Sequence, residues 1–227
     1  RLIEMNIIER LNKSNNNFSV NISSLQKISL EKLIGNPFPN SKNEIWRLTN
    51  KSKFSRFLDF KFSNDFYAPE IPGDSKKQNI CRIIVGENKT IKLKDKKWEI
   101  KESEDKDILN FLQQKITESD TTQNWSSLLN HFLTDEKNIV SLNISGTEIP
   151  HLEIICNSKN NFLNSKTLII NIEQGTKVSI TQINIGDKNS ALSTSSYFNI
   201  RENAILHHGI ISFGTNKSHI INTLNVV

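Results

Sequence analysis

The chain has 227 residues, of which 36% are hydrophobic, and a formal net charge of +5, a composition typical of one large globular domain or two small ones. No apolar run approaches the roughly 20 residues that cross a membrane, and Glu4 and Glu9 interrupt the first ten residues, which therefore do not form the apolar block of a signal peptide. Because the chain begins with Arg1 and stops in an apolar stretch, we interpret it as a piece of a longer protein.

The first 135 residues mix short helical patterns with loops. Apolar residues at helical spacing predict a helix over residues 2–11, and a second helix over residues 24–34 would end at Gly35, since glycine is common just past a helix. The Asn- and Ser-rich residues 12–17 and the Pro- and Gly-containing residues 66–79 are typical of surface loops.

Lysines concentrate at residues 89–101, where they alternate with the apolar side chains of Ile91, Leu93, Trp98 and Ile100. The alternation predicts strands with one face in solvent. A phosphate-binding stripe is the alternative, for which a charge run alone is weak evidence. We therefore expect no nucleic-acid partner.

Two amphipathic helices are predicted next, over residues 105–117 and 124–133, because apolar side chains recur on one stripe with a period of 3.6. Beyond residue 138, runs of Ile and Val broken by Gly and Asn indicate strands. These runs are residues 139–144, 152–156, 167–172, 178–185, 197–200, 205–213 and 220–227.

The strand region contains an internal repeat. Residues 170–178 match residues 198–206 without a gap, at an offset of 28 residues. In both copies the turn carries a residue type that tolerates a positive φ, Gly175 in the first and Asn203 in the second. Residues 224–226 resemble the start of a third copy, slightly out of step.

A repeat of this length, with strands and no helix between the copies, predicts a solenoid, and an antiparallel β-sandwich is the alternative. We expect a mainly β chain with an N-terminal α/β cap over residues 1–135. Residues 136–227 would form the first coils of a parallel β-helix, truncated at its C-terminal end. The helical region is expected to cap the first coil.

Motifs for catalysis and cofactor binding are absent from the sequence, which has no G-x-G-x-x-G, phosphate loop, H-E-x-x-H or G-x-S-x-G. Cys81 and Cys156 lie far apart in apolar runs. They are predicted to be buried, inert thiols in a reducing compartment, not a disulfide or metal ligands.

His207 and His208 are a candidate pair of metal ligands. Neighbouring strand residues point to opposite faces, however, so the two rings could not bind one metal ion from a regular strand. We predict a surface histidine and a packed histidine, with His208 in the inward position that Ile180 occupies one copy earlier. No residue is assigned as catalytic, cofactor-binding or metal-ligating. The tryptophans are expected in the core: Trp46, Trp98 and Trp125.

Residues 35–49, Gly-Asn-Pro-Phe-Pro-Asn-Ser-Lys-Asn-Glu-Ile-Trp-Arg-Leu-Thr, resemble a segment near the start of SufD-type proteins, which belong to the SufB/SufD family of iron–sulfur cluster assembly. The family pattern is a Leu–Pro turn, a polar stretch, then Glu, any residue, Trp, a basic residue, an aromatic residue and Thr. Phe38 and Leu48 depart from it. The matching residues are Pro39, Glu44, Trp46, Arg47 and Thr49. Residues 125–150 and the later repeats resemble the helix that leads into the family's β-helix and the β-helix itself.

The resemblance implies a right-handed β-helix that acts as a non-catalytic scaffold, not as an enzyme. The chain would be a cytoplasmic subunit of the SUF complex, paired with a SufB-like subunit and a SufC-like ABC ATPase. The residues that contact both partners would lie beyond residue 227. The iron–sulfur cluster, or a flavin, would be held by the complex and not by this piece of it.

The main alternative function is a β-helix protein that binds or cleaves polysaccharide, although the repeats carry neither an acidic cluster nor an aromatic ladder on one face. A left-handed hexapeptide acyltransferase is a further alternative. That fold requires a six-residue repeat, and the observed offset of 28 residues is not a multiple of six.

Overall fold

Strands are the main element of the part of the chain that a computed structural model describes, namely residues 20–35, 56–57, 59–69, 71, 79–87, 89–118 and 125–227. The elements are α1 (Val20–Gly35), β1 (Lys61–Phe62), β2 (Ile80–Ile84), β3 (Lys92–Lys94), β4 (Trp98–Glu102), α2 (Asp105–Glu118), α3 (Trp125–Leu133), a 3₁₀ helix (Glu136–Asn138), β5 (Ile139–Gly146), β6 (His151–Asn157), β7 (Phe162–Ile172), β8 (Lys177–Gly186), β9 (Ala191–Ile200), β10 (Ile205–Gly214) and β11 (His219–Val226).

Most of the predicted elements are found. The helices predicted over residues 24–34, 105–117 and 124–133 correspond to α1, α2 and α3, and the seven predicted strand runs correspond to β5–β11. The predicted helix over residues 2–11, the loop over 12–17 and residues 36–49 of the family-like segment, with Trp46, lie outside the described residues.

The 28-residue repeat is the coil of a β-solenoid of about three turns. Ile172 lies beside Ile200 in parallel register, and the same offset places Ile144 beside Ile172 and Leu152 beside Ile180. Parallel pairing of equivalent residues excludes the antiparallel sandwich, because strands joined by hairpins run in opposite directions. The predicted solenoid is confirmed.

Regular strand and turn lengths produce the period. Strands β8, β9 and β10 each have ten residues, and four residues connect each to the next, at 187–190 and 201–204. Two such strands and two such turns make one 28-residue coil. The predicted positive φ is present in both turns, +71° at Gly175 and +57° at Asn203.

Strands stack into two sheets, one from each side of the coil. Sheet A has the order β11-β9-β7-β5-β4-β3, with β1 beside the start of β7, and sheet B has the order β10-β8-β6-β2. The segment 224–226 does not start a third copy two residues out of step, because Val226 pairs with Phe198 at the regular offset. A shift of two residues leaves the inward and outward faces unchanged, so the pattern looked similar.

The first coil is capped by strands from the N-terminal region. In sheet B, β2 adds in parallel to β6, and in sheet A, the β3–β4 hairpin adds antiparallel to β5. Gly146 permits the close approach of β4, because a Cβ at this position would lie 2.2 Å from the carbonyl oxygen of Lys97. The predicted alternation is found in β4, where Ile100 is buried and Lys101 is exposed. It is wrong for β3, the outermost strand of sheet A, where Leu93 is 36% exposed and all three residues lie in solvent.

Apolar side chains form two cores. The inner core fills the space between the sheets, and the outer core lies between the outward side of sheet A and the three helices. We expected the helices to cover the end of the first coil, but they lie along its flank, where α3 contacts β7, β9 and β11. The predicted boundary at residue 135 falls between α3 and β5.

Candidate functional site

A stripe of polar side chains runs through the interior of the solenoid. One position in successive coils holds Asn138 just before β5, Lys166 in β7, Thr194 in β9 and Asn222 in β11. The stripe reaches across to sheet B, since the Nε2 atom of Gln182 donates to the Oδ1 atom of Asn222 at 3.0 Å. Buried polar groups are costly unless paired, and these amides and hydroxyls pair with one another.

Lys166 is the most unusual member of the stripe, because its side chain is only 2% exposed. Its ammonium group donates to the Oδ1 atom of Asn138. A Cβ at Gly86 would lie 2.9 Å from the same nitrogen, so this glycine makes room for it. Burial lowers the pKa of Lys166 to about 8, and the nearby Cys156 and Asp135 raise it in part.

The two thiols lie inside the solenoid and are not oxidised to each other. Cys156 is fully buried, and burial raises its pKa to about 12, while Cys81 is half-buried and its pKa is also raised by burial. A protonated, inaccessible thiol is neither a nucleophile nor a metal ligand. The prediction that the thiol is buried is confirmed for Cys156.

A second polar cluster lies between α3 and the outward side of sheet A. Asn130 donates to the Oγ1 atom of Thr167 at 2.9 Å and accepts from the hydroxyl of Ser165 at 2.6 Å. The Nε2 atom of His131 and the hydroxyl of Tyr197 share a hydrogen bond of 2.7 Å. Burial lowers the pKa of His131 to about 4, so its ring is neutral at pH 7. These contacts fix the helix on the solenoid.

Tyr197→Phe is expected to lower the free energy of unfolding by about 1–3 kcal/mol, because it leaves the buried Nε2 atom of His131 without its partner. Urea unfolding measures the difference. The matched control is Tyr67→Phe, since Tyr67 is exposed and should tolerate the loss of its hydroxyl within about 0.5 kcal/mol. Equal effects of the two substitutions would contradict a structural role for the His131 contact.

The histidine pair lies as predicted. His208 lies beside Ile180 in the neighbouring strand and faces inward, where its ring centroid lies 4.4 Å from that of Phe198, while His207 is exposed.

Two of the tryptophans that were predicted in the core lie in the described residues. Trp125 is buried, and Trp98 is partly buried against the inner core.

The outward side of sheet B carries aliphatic side chains at equivalent positions of successive coils. Ile155, Ile183 and Ile211 form one row, and Ile185 and Phe213 form the next. Burial decreases along the rows: Ile155 is fully buried, whereas Ile211 is 44% and Phe213 57% exposed. The surface formed by Ile183, Ile185, Ile211 and Phe213 is here called the sheet B face. Its first two side chains are partly buried and its last two are exposed apolar area.

Within the described ranges, no group of three or more His, Cys, Asp or Glu side chains could hold a metal ion. In that same part of the chain, no helix combines the length and apolar character needed to span a membrane. Comparison with known proteins finds no family model, no curated protein and no solved structure that matches the chain.

The interior stripe was not predicted, although the sequence contains a signal for it. Asn138, Lys166, Thr194 and Asn222 are spaced by 28 residues, the repeat already identified. Leu142-Asn143-Ile144 likewise matches Ile170-Asn171-Ile172, which would have added one more coil to the repeat. Polar side chains are mostly exposed, so a polar residue in a strand region does not by itself indicate an interior position.

Proposed function

We propose that the chain is a non-catalytic scaffold subunit of the SufD type, which pairs with a SufB-like subunit and a SufC-like ABC ATPase in cytoplasmic iron–sulfur cluster assembly. The observation that carries the proposal is the parallel solenoid of 28-residue coils preceded by a cap of helices and strands. This is the architecture that the resemblance of residues 35–49 to SufD-type proteins implies.

The chemistry of the described residues supports binding over catalysis. The buried polar groups of the interior stripe and of the α3 cluster are mostly engaged with one another, as in structural networks. The thiols do not fit a cluster site, because Cys156 is closed inside the solenoid and both thiols are kept protonated by burial. The cluster would therefore be built elsewhere in the complex.

A scaffold needs rigid surface to which partners can bind, and a solenoid provides it because each coil is hydrogen-bonded to the next. The exposed sheet B face supports a role in contacting another protein, since Ile211 and Phe213 would bury apolar area on binding.

Co-expression of the full-length protein with the SufB-like subunit and the ABC ATPase encoded in the same genome tests the proposal. We expect the three chains to co-purify, and iron and acid-labile sulfide to accumulate on the complex. An ABC ATPase subunit from a transporter serves as the control for non-specific capture. Recovery of the protein alone would contradict the proposal, and cleavage of acidic polysaccharide would favour the alternative.

A further inference from the structure

One turn of the solenoid stacks three residues with positive φ at equivalent positions of successive coils: Asn161 (65°), Asn189 (50°) and Lys217 (62°). The first two form an amide ladder, in which the Nδ2 atom of Asn189 donates to the Oδ1 atom of Asn161 at 2.7 Å. Asparagine tolerates this backbone conformation well, whereas lysine does so poorly. The backbone therefore does not account for lysine in the third coil.

Lys217 lines a groove of about 850 Å³ at the end of sheet A where β7, β9 and β11 begin, here called the basic groove. Arg56 and Lys61 line it from the segment around β1, and Asp59 is the one carboxylate among the lining residues. Three cations against one carboxylate give the lining a net charge of +2. Among the described residues, neither Lys61 nor Lys217 forms an ion pair.

The other walls of the groove are amide and aromatic. Asn161 and Asn189 contribute side-chain amides, and Phe60 lies against His219 with ring centroids 5.9 Å apart. Positive charge beside neutral hydrogen-bonding groups is the environment that phosphoryl oxygens prefer in proteins. A volume of this size lies in the range of small-molecule pockets.

We propose that the basic groove binds a small phosphorylated ligand about the size of a mononucleotide, with its phosphoryl group held by Lys217 and Lys61. Solvated surface lysines are the ordinary explanation for a basic patch. Lys217 argues against this explanation. A lysine that serves only to be solvated would not need to occupy a turn position whose positive φ is unfavourable for lysine. The groove would bind its ligand whether or not the chain serves as a scaffold.

Isothermal titration of the full chain with ADP and with pyrophosphate, at low ionic strength where charge is least screened, tests the proposal. Lys217→Asn restores the residue type of the two preceding coils, so the variant should be at least as stable as the natural chain. We expect it to weaken binding of both probes about tenfold, the effect of losing one charge-assisted hydrogen bond. Lys61→Gln should act in the same direction.

Lys177→Asn is the matched control. Lys177 is exposed at the start of β8 in sheet B, and its substitution removes one positive charge, as Lys217→Asn does. It should leave both affinities unchanged. Tighter binding of ADP than of pyrophosphate would show that the nucleoside also contacts the groove, and equal binding would assign recognition to the phosphoryl groups alone. The proposal is overturned if neither probe binds at millimolar concentration, or if Lys177→Asn weakens binding as much as Lys217→Asn.

Discussion

Phe198→Ala is expected to lower the free energy of unfolding by about 3–5 kcal/mol, because it removes a large side chain from a closed core. Phe198 is fully buried in the inner core and packs against His208 from the facing sheet. Strand β9, which carries Phe198, is hydrogen-bonded in parallel to β7 on one side and to β11 on the other, so it cannot easily collapse into the cavity that alanine would leave. Urea unfolding followed by circular dichroism measures the change.

Phe213→Ala provides the control, because Phe213 belongs to the same residue type but lies 57% exposed on the sheet B face. Its loss should change the stability by less than about 1 kcal/mol. If both phenylalanines proved equally important, the assignment of inward and outward faces along β9 and β10 would be wrong.

The free energy of unfolding of the natural chain is expected to rise between about pH 8 and pH 10.5, and Lys166→Met is expected to abolish this rise. In the folded chain the pKa of Lys166 is about 8, whereas an unburied lysine has its ordinary value of 10.5. Over this window the unfolded chain binds more protons, so the natural chain becomes more stable as the pH rises, by up to about 3 kcal/mol. Below pH 8 Lys166 is protonated in both the folded and the unfolded chain, and its contribution to the free energy of unfolding stays at its lowest value.

Urea unfolding at pH 7.5, 9 and 10 compares the natural chain with the variant, and the difference between them isolates Lys166 from the other titrating groups. Lys177→Met is the matched control, because Lys177 is exposed and its removal should leave the pH profile unchanged. A natural chain and a Lys166→Met variant with parallel profiles would mean that the Lys166 ammonium group is hydrated in the folded state.

The sequence determined the coil and its faces because both are local patterns. Strand side chains alternate, so Ile170 and Ile172 had to face one way and Asn171 the other. Asn143, Asn171 and Asn199 do lie outward, as a ladder of amide hydrogen bonds of 2.9 and 2.6 Å. The offset of 28 residues likewise predicted which residues would lie beside one another in a solenoid, and the parallel pairing of the strands has that register.

The candidate sites were less predictable, because they depend on residues far apart in the chain. The interior stripe could have been found from its 28-residue spacing, but the burial of Lys166 also depends on Gly86 and Asn138. The basic groove combines Arg56 and Lys61 with Lys217, more than 150 residues later. No local pattern relates these positions.

The amino-acid sequence by itself thus determined the period, the inward and outward faces of the strands and the positions of the turns, and it favoured a parallel solenoid over a sandwich. Only the tertiary structure decided where the helices lie, how strands cap the first coil and which charges meet. The physical reason is that β7 and β9 are apolar on both faces, through Ile170 and Phe198 inward and Ile169 and Tyr197 outward. An apolar outward face requires a cover, but its sequence does not specify which element supplies it.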